Sequence, residues 1–276
     1  MAIITLTTDI GQQDYLVGAI KGQLLSQDDK LVIVDISHYL SKTNYPQAAY
    51  ICSNAFKHFP VSTIHIVILN FFDADVNHLL LTRHNNQYII CPDNGIITMI
   101  TGAKPKELAK IAFKEDQTLL GRTAIIAKAI AYINKNENLA MSTDNSLQIV
   151  EKYPLKPTVG PDWMEGQILF IDNFENVVIN ITKDEFEEQR KDRDFSILIA
   201  RNEQITTISN NYASTVEGDR LAWFNSAGYL EIAVNKGNIA GLFGLQGFNE
   251  KMNKLGLVSQ NKWIYQTIKV FFKEYT

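Results

Sequence analysis

The first half of the chain alternates between two hydrophobic periods. Four short apolar runs rich in β-branched residues predict strands, at 3–8, 31–37, 62–69 and 87–94. Three segments with apolar residues at helical spacing predict helices, at 16–27, 45–59 and 121–136. Segment 107–113 fits either a helix or a strand. Strands that alternate with helices predict an α/β domain with a largely parallel sheet, which we place at residues 1–150.

The pattern changes beyond the loop-rich segment 145–166, which contains three prolines and two glycines. Six short apolar runs follow, separated by turns, at 167–172, 176–181, 195–200, 204–209, 221–225 and 229–234. They predict a smaller all-β, barrel-like domain at residues 151–276. The charged segment 183–194 predicts a solvated helix or loop, and the partly alternating segment 262–275 predicts an edge strand.

Composition narrows the function classes. The 276 residues carry a net charge of −4 with no basic stripe, so we expect no nucleic-acid partner. No apolar run approaches the roughly 18 residues that a membrane helix requires, and the first residues lack a signal-peptide pattern, so we expect no membrane partner. Cys52 and Cys91 lie in apolar surroundings and are expected to be free buried thiols, which favours the cytoplasm. Metal-binding and nucleotide-loop motifs are absent from the sequence.

The remaining candidates for chemistry are polar residues at the ends of predicted strands. Asp9 follows the first strand, at the edge where open α/β sheets bind ligands, and an alternative interpretation is a helix N-cap. Asn70 begins a polar and aromatic loop after another strand. Pro-Asp-Asn-Gly at 92–95 and Asn-Ser-Ala-Gly at 225–228 also fit ordinary turns. Phe174, an aromatic residue in the turn 172–176, is better suited to covering a flat ligand.

Taken in order, these segments resemble the S-adenosyl-L-methionine (SAM) hydroxide adenosyltransferase family, which includes the bacterial fluorinase and chlorinase. The resemblance rests on ITLTTDIGQQDYLVGAIKG, DISHYLSKTNYPQAAYI, ICPDNGIIT, ILFIDNFENVVINI and FNSAGYLEIAVNKGNIAGLFGL, and it spans residues 3–245. It implies an α/β domain followed by a β-barrel-like domain, and a homotrimer with sites between subunits. It also implies attack of water at C5′ of SAM, giving adenosine and methionine, with SAM as substrate or ligand and no separate cofactor.

Family roles transfer to matching positions. By resemblance, Asp9 matches the aspartate that holds the ribose hydroxyls, and Asp172 matches the aspartate that meets the methionine ammonium. Phe174 and Tyr212 match aromatic residues at the adenine. Asn176 matches the asparagine that reads the adenine edge, because one amide carries both a donor and an acceptor.

Two further positions complete this set. Ser226 matches the serine at the methionine carboxylate. Glu175 stands where the family usually has glycine, a residue suited to a positive-φ turn, so it is expected to shift the loop or to add charge near the purine.

The groups that the hydrolase branch uses to activate water are missing. Asn70 occupies the aspartate position, and we name it as the residue at the catalytic position; Asn77 and Leu120 fall at the arginine and histidine positions. Thr43 replaces an aromatic residue near the methionine arm. Asp73 or Asp75 are possible substitutes, with solvated loop residues as the preferred alternative, and an anionic loop argues against a halide nucleophile.

Three functions therefore remain open from the sequence. The first is an enzyme that hydrolyses SAM, with altered or reduced chemistry. The second is a module that binds adenosine or SAM without cleaving it. The third is a scaffold with a vestigial pocket, which Phe71 or Phe72 would fill.

Overall fold

The computed structural model describes residues 2–72, 77–114, 118–134, 147–200, 203–245 and 266–273. It divides into two compact units, Met1–Pro154 and Leu155–Thr276. None of the described helices is long and apolar enough to cross a membrane.

The first unit is built around a six-stranded sheet. Its strands are β1 (Ile3–Thr8), β2 (Val32–Ser37), β3 (Ile64–Ile68), β4 (His78–His84), β5 (Gln87–Pro92) and β6 (Leu108–Ala112), in the spatial order β2-β1-β3-β5-β4-β6. The first four strands in that order run parallel, whereas β4 is antiparallel to β5 and β6. The predicted α/β class with a largely parallel sheet is confirmed, and the ambiguous segment 107–113 contains a strand.

Helices cover both faces of this sheet. They are α1 (Leu16–Leu25), α2 (Tyr45–Phe56), α3 (Ile96–Thr101) and α4 (Leu119–Asn134). One core combines side chains of α1 and α4 with Ile4, Ile66 and Ile90, and a second combines α2 and α3 with Val67 and Ile89. Successive side chains of the strands point alternately to these two cores, so the unit is an α/β/α sandwich.

The second unit is an antiparallel barrel-like sheet. Its strands are β7 (Thr158–Val159), β8 (Trp163–Ile171), β9 (Val177–Thr182), β10 (Asp194–Ala200), β11 (Glu203–Ile205), β12 (Arg220–Phe224), β13 (Tyr229–Val234) and β14 (Thr267–Lys273). The main order is β11-β10-β14-β8-β9-β13-β12, and a bridge between Ile208 and Ala222 brings the two ends towards closure. The predicted all-β, barrel-like class is confirmed.

Two local expectations have different outcomes in this unit. The charged segment forms α5 (Lys183–Arg190), and Thr182 and Glu185 form a capping box at its start, as the solvated-helix interpretation predicts. The edge-strand prediction for 262–275 is wrong, because β14 pairs with β10 on one side and β8 on the other. Its lysines alternate with buried Ile268, Val270 and Phe272, so the alternation reflects one solvated face rather than an open edge.

Candidate functional site

Asp9 and Asn70 lie together at the carboxyl edge of the first sheet. They follow the parallel neighbours β1 and β3, which end at the same level. The Asn70 backbone N–H donates to Asp9 Oδ2 at 2.7 Å, and the Asp9 N–H donates to the Ile68 carbonyl at 3.1 Å. Asp9 is not a helix cap, because α1 begins at Leu16, whose N–H is capped by Asp14. The helix-cap interpretation of Asp9 is therefore wrong.

The surroundings of Asp9 disfavour its charge when no ligand is present. Burial raises the pKa of the Asp9 carboxyl, and the Asn70 N–H and the Lys42 charge only partly oppose this effect. A carboxylate has about four acceptor sites, and Asn70 uses one of them. The group therefore has the capacity to accept hydrogen bonds from a vicinal diol.

A series of linked polar side chains stabilises the turn that contains Asp9. The Thr8 hydroxyl lies 3.0 Å from His38 Nδ1, and His38 Nε2 lies 3.1 Å from Asp35 Oδ1. Lys21 Nζ lies 2.5 Å from Asp35 Oδ2. Burial alone would raise the pKa of Asp35, but the bonds from Lys21 and His38 lower it, so this carboxylate stays charged. The His38 carbonyl then accepts the N–H of Gly11, which fixes the turn.

The loop after β3 is anchored by a buried arginine. Arg122 on α4 donates from Nη1 to the Phe71 carbonyl at 2.9 Å. Its guanidinium lies 4.4 Å from the Phe72 ring centroid and 4.3 Å from that of Phe113. Phe71 packs into the core of the first unit, and Phe72 is 58 % exposed. Phe71 is therefore a core residue of the first unit, and Phe72 packs against the Arg122 guanidinium.

Asn70 contributes through its backbone. It adopts φ 47°, a left-handed conformation that asparagine tolerates better than most residues. Its carbonyl accepts from Asn94 Nδ2 at 3.5 Å, and among the described residues its side-chain amide makes no hydrogen bond. The amide is therefore available to orient a water molecule but has no basic atom to take a proton.

The other positions that depart from the family have local structural roles. Leu120 is half-buried against the core, and its carbonyl accepts from Gln23. Asn77 is exposed and accepts the Phe113 N–H through its carbonyl, and exposed Thr43 lies 3.4 Å from the Ser41 hydroxyl. Asp73 and Asp75 lie outside the described residues, so their substitution for the missing groups stays a prediction.

The Pro-Asp-Asn-Gly segment is more than a turn. Asn94 is buried and donates to the Leu69 carbonyl at 2.9 Å, which ties β5 to the loop after β3. Asp93 is also buried, accepts the Val150 N–H, and lies 2.9 Å from His78 Nε2. Gly95, the residue before α3, has φ 94°. This left-handed conformation would be strained in a residue with a side chain, so glycine suits the start of the helix. These bonds set the shape of the sheet edge next to Asn70.

In the second unit, the turn 172–176 is organised by Asp172. Its Oδ1 accepts the N–H groups of Phe174 and Asn176, each at 2.8 Å. Glu175 adopts φ 62°, so it supplies the positive-φ conformation expected of glycine there. Phe174 is 73 % exposed at the tip of this turn. The turn therefore presents an aromatic face held by a carboxylate that still has acceptor capacity on Oδ2.

A buried carboxylate, Glu231 on β13, joins this turn to the rest of the barrel end. Glu231 Oε1 accepts from the Tyr212 hydroxyl at 2.5 Å, Trp223 Nε1 at 3.0 Å and Asn176 Nδ2 at 3.3 Å. Glu231 Oε2 accepts from Asn225 Nδ2 at 3.1 Å. Burial, with the neighbouring Glu231 and Asp172, raises the pKa of Tyr212, so its hydroxyl remains a donor.

Ser226 lies in the β12–β13 hairpin turn that this network holds. Asn225 Oδ1 accepts the N–H groups of Ala227 and Tyr229, and Gly228 has φ 79°, so residues 225–228 form the ordinary turn that was the alternative interpretation of this segment. Ser226 is exposed, and its hydroxyl has no hydrogen-bond partner in the described part of the chain. The structure thus brings Asp172, Asn176 and Tyr212 together and holds Ser226 through its neighbour.

Sequence reasoning assigned no role to Glu231, Arg122 or the His78–Asp93 pair. A charged residue between Leu230 and Ile232 reads as the solvated face of a strand, yet Glu231 is only 4 % exposed. Its partner Asn225 lies only six residues earlier, across the hairpin, but nothing in the sequence marks that pairing. The binding roles of Asp9, Phe174 and the other matched residues stay predictions.

Comparisons with known proteins agree with this layout. The model of the SAM hydroxide adenosyltransferase N-terminal domain matches residues 4–142, and that of the C-terminal domain matches residues 166–250. An (R)-S-adenosyl-L-methionine hydrolase of Methanocaldococcus jannaschii is 26 % identical over 262 residues, covering 90 % of this chain and 94 % of that protein. One from Thermus thermophilus is 21 % identical over 261 residues, covering 89 % of this chain and 97 % of that protein.

Solved structures show the same fold. A conserved uncharacterized protein from Thermotoga maritima superposes with a TM-score of 0.76 at 23 % identity and covers 98 % of this chain and 100 % of that one. A conserved hypothetical protein from Thermus thermophilus gives a TM-score of 0.63 at 20 % identity, covering 99 % and 100 %.

Proposed function

Because the chain belongs to the SAM hydroxide adenosyltransferase family, we propose that it binds SAM or adenosine through the residues described above. The family resemblance inferred from the sequence motifs is thereby confirmed. The observation that carries the proposal is the polar cluster of Asp172, Asn176, Tyr212 and Glu231. It contains two carboxylates, and no ion pair to either of them occurs in the described ranges, so it favours a cationic ligand.

Each chemical part of SAM has a matching group in this proposal. Asp9 accepts hydrogen bonds from the ribose diol. Phe174 and Tyr212 contact the adenine, whose flat surface suits an exposed aromatic ring. Asp172 meets the ammonium through the remaining acceptor capacity of Oδ2, and Ser226 donates to the carboxylate.

The reaction proposed as the first candidate is slow hydrolysis. A water oxygen forms a bond to C5′, the C5′–S bond breaks, sulfur keeps the electron pair as the neutral thioether of methionine, and water releases one proton. The leaving group requires no general acid. Asn70 orients the water, and without a base the rate falls by roughly 10²- to 10⁴-fold relative to an enzyme that has one.

The second candidate is a module that binds the ligand without cleaving it. It is supported by the neutral amide at the catalytic position and by Leu120, whose apolar side chain packs against the core. In this candidate the same contacts hold adenosine or SAM, and the bound molecule itself is the signal.

Mass spectrometry in ¹⁸O-labelled water separates the two candidates. The protein is incubated with an equal concentration of SAM, and adenosine and methionine are quantified against a protein-free sample. Adenosine with ¹⁸O at its 5′-hydroxyl identifies attack by water at C5′. Calorimetric binding of SAM with no labelled adenosine above background supports the binding module. No heat of binding with either SAM or adenosine refutes the proposed function.

A matched pair of variants tests the role of Asp9. Asp9→Asn removes the carboxylate and is expected to weaken adenosine binding at least tenfold, since a charged acceptor to two hydroxyls is lost. Asp29→Asn, at an exposed position in the same unit, is the control and is expected to leave the affinity unchanged. Equal affinities of the two variants would remove Asp9 from the binding site.

Assembly as a homotrimer, with sites formed between subunits, belongs to the same proposal. Light scattering is expected to give about three times the chain mass of 31.2 kDa. A cytoplasmic location is proposed on the basis of the two unpaired, buried cysteines.

A further inference from the structure

The cluster at the end of the barrel contains a residue whose function is to orient the others. We propose that Glu231 is a positioning residue that fixes the Asn176 amide with its oxygen towards the ligand, so that the site selects purines carrying a 6-amino group. This inference rests on the proposed function for its ligand. Its structural half, the fixed amide, stands on contacts within the chain.

The orientation of the Asn176 amide follows from its neighbours. Nδ2 lies 3.0 Å from Asp172 Oδ2 and 3.3 Å from Glu231 Oε1, and ionised carboxylates only accept hydrogen bonds. Its third neighbour, the Tyr212 hydroxyl at 3.1 Å, donates its own hydrogen to Glu231 and so also accepts from Asn176. The reverse orientation would place the amide oxygen against two carboxylates. The nitrogen therefore faces the cluster.

This orientation leaves one kind of atom for a ligand. Both hydrogens of Nδ2 are used by the three acceptors around it. The Asn176 side chain is only 3 % exposed, but its Oδ1 has no donor among the described residues and is not one of the fully enclosed atoms without a partner. A bidentate amide offers a donor and an acceptor, whereas this one offers only an acceptor. A 6-amino group donates to it, and a 6-oxo group opposes it with a second oxygen.

Glu231 is suited to this function because it accepts on both oxygens. Oε1 takes three donors, and Oε2 takes Asn225 Nδ2, whose amide is itself fixed by the Ala227 and Tyr229 N–H groups. A glutamine has one donor end and therefore faces at least one of these donors with another donor. Glu231→Gln is nearly isosteric, yet it removes the negative charge that opposes the reverse orientation of the Asn176 amide, and it sets a donor against Asn225 or against the three donors at Oε1.

Calorimetry with adenosine and inosine, at pH 7.5, tests the selection. The wild-type protein is expected to bind adenosine at least tenfold more tightly than inosine, because inosine leaves the acceptor unpaired and repelled. In Glu231→Gln this ratio is expected to fall by threefold or more. Glu165→Gln, at a half-buried position of β8 whose carboxylate makes no contact with the cluster, is the matched control and is expected to keep the wild-type ratio. A ratio that falls by less than threefold in Glu231→Gln overturns the inference.

Nuclear magnetic resonance of the ligand-free protein gives a second measurement. The Asn176 side-chain amide protons are expected to exchange with water at least tenfold more slowly than those of exposed asparagines, because both are donated within the cluster. Exchange as fast as that of exposed amides overturns the positioning role, even if Glu231→Gln does not fold. A slow Asn176 amide in a protein that binds neither nucleoside supports the positioning role and refutes the proposed function.

Discussion

His65 on β3 gives the first unit a specific sensitivity to acid. The ring is fully buried, stacks on Phe56 at 3.8 Å between centroids, and lies 2.7 Å through Nδ1 from the Thr5 hydroxyl. Burial lowers its pKa to about 4 from 6.5, against a smaller opposing effect of Gln87. The folded protein therefore holds this histidine neutral at pH values where the unfolded chain protonates it.

The sign and size of the effect follow from linkage. Because the folded pKa lies below the unfolded one, stability is complete above about pH 6.5 and is lost as the pH falls towards 4. A shift of roughly 2.5 units at 1.36 kcal/mol each gives about 3 kcal/mol in full, of which about 2 kcal/mol is lost between pH 7.5 and pH 5. For a domain of ordinary stability this loss is a large fraction of the total.

The assay has to report the first unit. All three tryptophans, at 163, 223 and 263, lie beyond Pro154, so their fluorescence follows the second unit. Hydrogen exchange of the β3 peptide in increasing denaturant, at pH 7.5 and pH 5, measures the free energy of opening where His65 lies. His65→Gln removes the titrating ring and is expected to reduce the pH dependence by about 2 kcal/mol.

The control is His58→Gln, which removes an exposed histidine just past α2 and is expected to leave the pH dependence unchanged. If wild type and His65→Gln lose the same free energy between the two pH values, the buried neutral ring is not the cause, and the reasoning is refuted.

Four further outcomes are expected. Asp9→Asn is expected to stabilise the ligand-free protein at pH 7 in thermal melts, because the raised pKa of Asp9 makes its ionisation a cost that grows as pH rises through that pKa; an unchanged or lower melting temperature contradicts this. Glu175→Gly is expected to raise the free energy of unfolding of the barrel by up to about 1 kcal/mol, because glycine adopts its φ of 62° without strain; tryptophan fluorescence measures it. Cys52 and Cys91 are expected to resist Ellman's reagent until denaturant is added, because burial raises both thiol pKa values, that of Cys52 to about 12; rapid native labelling would contradict it. Arg122→Lys is expected to lower the stability of the first unit by about 1–3 kcal/mol by removing the donor to Phe71, and hydrogen exchange tests this.

Hydrophobic period was sufficient to predict both fold classes, because buried strands and amphipathic helices each have a strong periodic signal. It missed β4 and α3. The strand β4 pairs antiparallel with β5, and an alternating pattern of strands and helices gives no signal for a strand that runs in the opposite direction. The helix α3 has only six residues and begins at a left-handed glycine without a side-chain cap, so it lacks both the length and the start signal that a helix prediction uses.

The candidate site was predictable only in part, for a related reason. Asp9 and Asn70 were each predicted at the end of a strand, and because the parallel strands β1 and β3 end together, the structure joins them at one sheet edge. The partners inside the barrel were not predictable, since Glu231 is separated from Asn176 by 55 positions along the chain. Which face of β13 is buried depends on strands whose register the sequence does not specify.

Several features of the candidate site cost folding free energy, and this cost helps to distinguish a ligand site from a vestigial one. Asn70 and Glu175 both adopt positive φ, burial disfavours the charged form of Asp9 and raises its pKa, and two carboxylates accept from the Asn176 amide. Each feature opposes folding, and simple apolar or glycine replacements would relieve it. A scaffold without a ligand has no use for them. A ribose diol at Asp9 and a cation at Asp172 would offset two of these costs directly. Binding of the proposed ligand would therefore stabilise the folded protein at the same positions that destabilise it without a ligand.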